Sequence, residues 1–256
     1  MMESEGDGEV KSGSFTRRGI YPSLWAVRWS VIVAAFNEED AIGGTLADLH
    51  AHVPGDAEIL VVDGGTDRTG QVVAEWRDRL PGLRYIRHLD DRGKGHAIRT
   101  GIREATGALH AQFDADGQFF AKDLVALMAP LERGEMDVVL GSRFMEESGR
   151  DAAASWSRSL GNHVVSGWAS LLFGQRMTDV LAGIKAWTSE AAGRIKLTSD
   201  RYEYEVEIPC RAILAGLRVG EVAVDTRARE EGESKVPVFR TGLRVLTATT
   251  RFRCGG

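Results

Sequence analysis

Residues 108–124 read ALHAQFDADGQFFAKDL and hold three patterns in succession. The apolar run from Ala108 to Phe113 has the character of a buried strand. Asp114 and Asp116 close it, Gly117 marks a turn, and Leu124, Leu127, Met128 and Leu131 then recur at helical spacing. Strand, polar turn and amphipathic helix in that order form the unit from which parallel sheets are built. In an extended segment residues i and i+2 point the same way, so the two carboxylates are expected on one side of the chain. At about 6 Å and an effective dielectric of about 20, their repulsion is about 3 kcal/mol. A bound divalent cation reverses that cost, and an oxygen site with few protein ligands suits Mg2+ or Mn2+ shared with substrate phosphates.

The same unit repeats on both sides of this stretch. WSVIVAAF (29–36) leads through NEEDA into a helical pattern at Ile42, Leu46 and Leu49. EILVVDGG (58–65) leads into TDRTGQVVAEWRDRL, which Pro81 stops. LRYIRHL (83–89) precedes the helix of GKGHAIRTGIREATG, and MDVVLGSRF (136–144) is a fifth strand. Apolar strands alternating with amphipathic helices imply an α/β fold, a mainly parallel sheet flanked by helices. Ligands of such sheets bind outside the carboxyl ends of the strands. Asn37–Glu38, Asp63, Asp114–Asp116 and Arg143 all fall at those ends. Any one could be a helix cap; four clusters on one edge indicate a site.

Two other uses of the aspartate pair fail on spacing. An EF-hand needs a carboxylate twelve positions along, where Val125 stands. An aspartyl-phosphate phosphatase places its pair on the first strand with a Thr where Gln118 lies here. The first strand has no dinucleotide fingerprint, and RGKGHA lacks Walker A spacing.

After residue 150 the rhythm changes. SWSRSLGNHVVSGWASLLF (155–173) reads as a helix, AGIKAW as a short strand, YEYEVEIPCRAILAGL (202–217) as a helix kinked near Pro209, and RVGEVAVDTRA as a strand. No repeat or linker divides the chain, so residues 28–236 are expected to form one domain. Residues 1–27, acidic and Gly/Ser-rich without an apolar core, read as a flexible tail and not a secretory signal. A net charge of -5 over 256 residues gives no case for nucleic-acid binding, and two isolated cysteines fit a reducing compartment without a zinc site. VVSGWASLLFG is too short for a membrane span, which needs about 20 apolar residues. Residues 237–256 carry Arg240, Arg244, Arg251 and Arg253 among apolar side chains, with no acid. Such a basic amphipathic segment can pack on the core or rest on an anionic membrane surface.

Taken together, SVIVAAFNEEDAI, ILVVDGGTDRT, RGKGHAIRTGIREATG, FDADGQF, GSRF, TDVLAGIKAW and REEGESKV stand in the order found in family 2 glycosyltransferases. The chain resembles the branch containing dolichol-phosphate mannosyltransferase and related polyprenyl-phosphate glycosyltransferases. The resemblance implies a GT-A fold and inverting, metal-dependent transfer from a nucleoside diphosphate sugar, GDP- or UDP-linked, to a polyprenyl (dolichyl-type) phosphate. By motif, Ala35, Asn37, Glu38 and Asp63 would line the nucleotide pocket, with Lys94 and Arg99 bordering it. Asp114 would hold the ribose side and assist the metal, and Asp116 and Gln118 would bind Mg2+ or Mn2+ and the diphosphate. Arg143, Arg229, Ser234 and Lys235 match acceptor-phosphate positions, and Glu207 matches an acidic position with a catalytic role beside Asp116 and Arg143. The acceptor class implies a peripheral place at the cytoplasmic face of a membrane. Departures include Ala34 for a proline and the shortened DGGTD, which lacks a second base-side aspartate. The alternatives are a soluble relative with a small acceptor such as 3-phosphoglycerate, and a silent nucleotide-sugar-binding protein.

Overall fold

The computed structural model of the chain describes residues 29–145, 156–227 and 238–255. Its elements, in chain order, are β1 (Trp29–Ala35), α1 (Ile42–His52), β2 (Glu58–Asp63), α2 (Thr69–Ala74), β3 (Leu83–Arg87), α3 (Lys94–Glu104), β4 (Leu109–Asp114) and α4 (Lys122–Glu132). There follow β5 (Val138–Ser142), α5 (Trp156–Phe173), β6 (Lys185–Thr188), α6 (Ser189–Ile195), α7 (Tyr204–Leu214), β7 (Val219–Ala223) and α8 (Val238–Arg253). The expected tail over 1–27 lies outside the described residues.

The strands form one seven-stranded sheet in the order β3-β2-β1-β4-β6-β5-β7. β3, β2, β1 and β4 run parallel, as the repeated strand–helix unit requires. The fifth strand does not join β4. β6 inserts between them, antiparallel to both, pairing Gln112 with Lys185 and Leu140 with Lys185. Sequence order alone does not reveal this insertion, because the residues of β6 arrive only after α5.

Both faces of the sheet are buried, and the pleat sorts side chains between them. Val31 and Val33 of β1 pack with Leu46, Leu49 and Leu127 from α1 and α4, whereas Ile32 between them packs with Ile98 on α3 and the cluster beneath α5, α7 and α8. α3 lies close on this second face: a Cβ at Gly101 would sit 2.3 Å from Ile32 Cγ2. α8 buries Val245, Ala248 and Phe252 in that cluster, so part of the basic C-terminal segment is core.

At the amino end of the strands, Glu58 fastens the first half of the sheet. It is buried and accepts from Ser30 Oγ at 2.6 Å, Arg84 NH1 at 2.5 Å and Thr106 N at 2.9 Å. Burial opposes its ionisation, but the hydrogen bonds from Ser30, Thr106 and Arg84 outweigh it and hold the carboxyl below its ordinary pKa. A carboxyl depressed on folding gives stability that is complete above the ordinary carboxylate pKa and fades as pH falls through the folded value. Glu58→Gln should therefore cost about 1–3 kcal/mol at neutral pH. Urea titrations across pH should show the gap from wild type closing in acid; a gap independent of pH would contradict this role.

Candidate active site

The sheet turns its connectivity between β1 and β4: the chain goes from β1 outward to β2 and β3, then returns to β4 on the other side. The crevice at the carboxyl ends of these two strands is where α/β sheets hold ligands. The loops that line it are tied to one another. Asn37, just after β1, has a left-handed φ of 56° and accepts from Thr66 N at 2.7 Å. Glu38 N donates to Thr69 Oγ1 and Glu39 N to Asp67 Oδ2, each at 3.0 Å. A Cβ at Gly65 would lie 2.5 Å from Asn37 N, so only glycine allows the two loops this approach. Ala35 lies buried beneath them, its carbonyl accepting from Gly64 N at 3.1 Å.

Asp63 is fully buried below the same wall. Its oxygens accept from Gly65 N and Tyr85 OH, both at 2.8 Å, and from Arg87 NH1 at 3.1 Å. The shortened DGGTD motif has a spatial answer: a Cβ at Gly64 would lie 2.6 Å from Asp91 Cγ. The Asp91 carboxylate, which also accepts from Gly93 N at 3.0 Å, takes the room a side chain at 64 would need.

On the β4 side, Asp114 ends the strand and Asp116 lies in the turn beyond it, with Gly117 at φ 70°. The expectation that one extended segment aligns the pair is therefore corrected: a tight turn governs their approach. Asp116 Oδ1 accepts from Gln118 N at 3.2 Å, and Gln118 O accepts from Arg227 N at 3.0 Å. Asp114 is wedged. Lys94 Nζ lies 2.6 Å from its Oδ1, and a Cβ at Gly183 would fall 2.0 Å from its Oδ2. Burial pushes the Asp114 carboxyl up to about 6; Lys94 opposes the rise, and the charges of Asp116 and Glu205 add to it.

Behind Asp114 stands a cluster centred on Glu205, a residue that the motifs do not include. Glu205, buried near the start of α7, accepts from Gln112 Nε2 at 3.0 Å and Tyr204 OH at 2.5 Å and pairs with Lys94 at 3.1 Å and with buried Lys185. Burial works against its charge, yet Lys185 and Lys94 prevail and hold the carboxyl down to about 2. Glu205 stands two residues before Glu207 in YEYEVE, so the acid-rich run itself was the available signal.

Glu207, expected by motif to act with Asp116 and Arg143, is occupied by donors of its own surroundings. It accepts from Thr198 N and Oγ1 at 3.0 and 2.7 Å, Ser199 N at 2.8 Å and Arg211 Nε at 2.5 Å, and so anchors the loop before α7 instead of joining Asp114. Arg99 NH1 donates to Ser199 O at 2.8 Å and its NH2 pairs with Asp200, fastening that loop to α3. The glycines of RGKG serve the same packing, since a Cβ at Gly95 would lie 2.4 Å from Ser199 O. Arg143 has its Nε and NH2 on the buried Asp179, at 2.6 and 3.0 Å. That fork joins GSRF to TDVLAG and fixes the planar guanidinium at the end of β5. Arg229, Ser234 and Lys235 lie outside the described residues.

The donor chemistry fits a hard divalent cation. Among the described residues no group of three or more His, Cys, Asp or Glu forms a metal cage. The Asp114–Asp116 pair offers oxygens alone, leaving the remaining positions to water and substrate oxygens, as Mg2+ and Mn2+ prefer.

A parallel sheet with acidic groups at its topological switch is the layout of GT-A glycosyltransferases. Superposition agrees: glucosyl-3-phosphoglycerate synthase from Mycobacterium tuberculosis, solved with Mn2+, UDP and glucosyl-3-phosphoglycerate, matches with a TM-score of 0.67 at 20% identity, over 89% of this chain and 80% of that one. Residues 30–183 match the family model described as Glycosyl transferase family 2, and the chain belongs to that family. A relative from Methanocaldococcus jannaschii, itself uncharacterized, is 34% identical over 84% of this chain and 88% of its own length. The dolichyl-phosphate hexose transferase of Haloferax volcanii is 28% identical over 84% of this chain and 90% of its own. Other relatives are longer, and the chain spans as little as 36% of their length.

The wedge at Asp114 is testable. Gly183→Ala should displace the carboxylate and weaken Mn2+ binding, read by calorimetry, by about tenfold. Unchanged Mn2+ affinity in a folded Gly183→Ala protein would show that Asp114 is not held for a cation.

Proposed function

We propose that the chain transfers a sugar, with inversion, from a nucleoside diphosphate sugar to a polyprenyl phosphate at a membrane surface. Asp116 and Asp114, with Gln118 beside them, would hold Mg2+ or Mn2+. A divalent ion there supplies electrophilic stabilisation to the departing diphosphate. Asn37, Glu38 and the Asp63 wall frame the nucleoside side of the crevice, and Lys94 brings a cation to the diphosphate side.

In the transfer, an acceptor phosphate oxygen attacks the anomeric carbon while the bond to the donor diphosphate breaks, and the nucleoside diphosphate departs. A phosphate monoester has its second pKa at about 6 and is mostly dianionic at neutral pH, so it needs no strong base. Neither acid of α7 suits base work. Glu207 is saturated with donors, and Glu205 is held at about 2 between two lysines. The requirement is instead to bring two anionic groups together, which Arg143 and, by motif, Arg229, Ser234 and Lys235 would serve.

The observation that carries the lipid half of this reading is an exposed apolar stripe. Leu160, Val164, Trp168 and Leu171 are exposed on α5, where Val164, Trp168 and Leu171 line a groove with Leu246, Thr247 and Thr250 of α8; Leu171 is 74% exposed and Leu243, also on α8, 58%. Trp168 Nε1 donates to Thr250 Oγ1 at 3.1 Å, and Arg251 and Arg253 lie exposed at the end of α8. Apolar side chains flanked by an indole and arginines suit the interface of an anionic bilayer. Among the described residues no helix is long and apolar enough to cross a membrane, so docking at the surface is the mode this reading uses. The helix that bears the stripe is tied to the site: Ser166 and Ser170 on α5 accept from Val180 N and Met177 N at 3.2 and 2.9 Å, in the segment that carries Asp179 and leads to Gly183.

Labelled GDP- and UDP-sugars, offered with polyprenyl phosphate in detergent and separately with 3-phosphoglycerate, test the reaction. The expected product is a charged glycolipid, with Asp116→Asn at least about 100-fold slower. Label appearing only in a water-soluble phosphoglycerate product would replace the lipid acceptor with a small one. Leu171→Glu combined with Leu243→Glu should reduce co-sedimentation with anionic vesicles while the melting temperature stays within a few degrees of wild type. Undiminished sedimentation would refute docking through this face.

A further inference from the structure

Lys94 stands between two carboxylates. Its Nζ is 2.6 Å from Asp114 Oδ1 and 3.1 Å from Glu205 Oε1. Glu205 is in turn fixed from the other side: Lys185, fully buried at the start of β6, donates to Glu205 Oε2 and to the Ala182 carbonyl, and Gln112 Nε2 reaches both Glu205 oxygens at 3.1 and 3.0 Å. Pro209 lies four residues beyond Glu205 within α7, so the Glu205 carbonyl receives no N–H from that position; its side chain meets Tyr204 of α7 together with groups of β4, β6 and α3.

Charge bookkeeping then limits what can happen when a cation arrives. Asp114, Asp116 and Glu205 bring three negative charges, and Lys94 and Lys185 bring two positive ones. The cluster carries one net negative charge, and a divalent ion would turn it to one net positive. An ammonium 2.6 Å from the carboxylate that is to receive the ion competes with it directly. Lys185 has no room to move, whereas Lys94 begins α3 at its glycine-capped end with its side chain one-fifth exposed.

Resting on the metal and nucleotide-sugar reading above, we infer that Lys94 is a resident counter-ion of Asp114 that a divalent ion displaces onto the donor diphosphate, with Glu205 and Lys185 as the positioning pair that holds it ready. The ammonium is in full contact with Asp114, and Glu205 offers it a second carboxylate to stay paired with when the first is taken. The arrangement would order the events: Lys94 would be free to meet a diphosphate only once a divalent ion held by Asp114 and Asp116 had taken its place, so diphosphate binding would be strong only with the cation present.

Mn2+ titration of the full chain by calorimetry, with and without UDP or GDP, tests this through a double-mutant cycle. Lys94→Met should tighten Mn2+ binding about fivefold without nucleotide and weaken nucleoside diphosphate binding in the presence of Mn2+ about tenfold. Glu205→Gln should weaken Mn2+ binding about fivefold when Lys94 is present and less than about twofold in the Lys94→Met background, with Glu205→Asp recovering part of the loss. Unchanged or weaker Mn2+ binding in Lys94→Met would overturn the counter-ion role. Equal loss from Glu205→Gln in both backgrounds would show that Glu205 acts on the metal through its field and not through Lys94. Should Glu205→Gln not fold, the surface-side Lys94→Met arm alone decides the counter-ion role. A wild-type chain that binds no Mn2+ with either nucleotide would instead remove the metal reading itself.

Discussion

A charged group at the end of a buried strand has to find its opposite, and Asp114 finds Lys94. Much of the surrounding architecture is arranged around that pair. β6 enters the sheet beside β4, which places Lys185 opposite Gln112 and brings Glu205 within reach of both lysines. Gly183 is bare because the carboxylate needs its space. Gly95 is bare because the loop before α7 packs on the start of α3, where Lys94 is mounted. The cluster is costly to bury, as the raised Asp114 carboxyl records. Its members keep their charges by pairing, and perturbed groups of this kind gather at functional sites.

The edges of the sheet divide the labour. At the amino end Glu58 is a structural clamp whose donors come from three places in the chain's first half, Ser30, Arg84 and Thr106. At the carboxyl end the acids hold loops in shape around a crevice. Asp63 and Glu207 belong to that supporting work: each is buried and saturated by local donors. Arg143 joins β5 to Asp179, and the next residue, Val180, donates its N–H to Ser166 on α5, so hydrogen bonds link this edge to the helix that carries the exposed apolar side chains.

The parallel half of the sheet was legible because every strand ends in a polar turn and every helix shows its apolar stripe. The antiparallel insertion of β6 was not, since nothing in KAWT distinguishes its neighbours. Asp114, Asp116 and Lys94 could be picked from motif and position. Glu205 could not be separated from Glu207 by pattern, because two acids two residues apart on a helix face nearly opposite ways and only the packing of α7 decides which one enters the site. Arg99 was expected to border the nucleotide pocket, and sequence did not show that a loop far along the chain supplies its partners. Asp91 escaped notice because its role depends on the missing side chain at Gly64, a relation that exists only in space.

The account stands on one geometric claim, that a divalent ion and a sugar nucleotide's diphosphate meet at the Asp114–Asp116 turn. Crystals grown with Mn2+ and a nucleoside diphosphate, measured at the manganese absorption edge, address it directly. The predicted anomalous peak lies within coordination distance of an Asp116 oxygen and of the diphosphate. A peak elsewhere, or a nucleotide bound away from the carboxyl ends of β1 and β4, would contradict it.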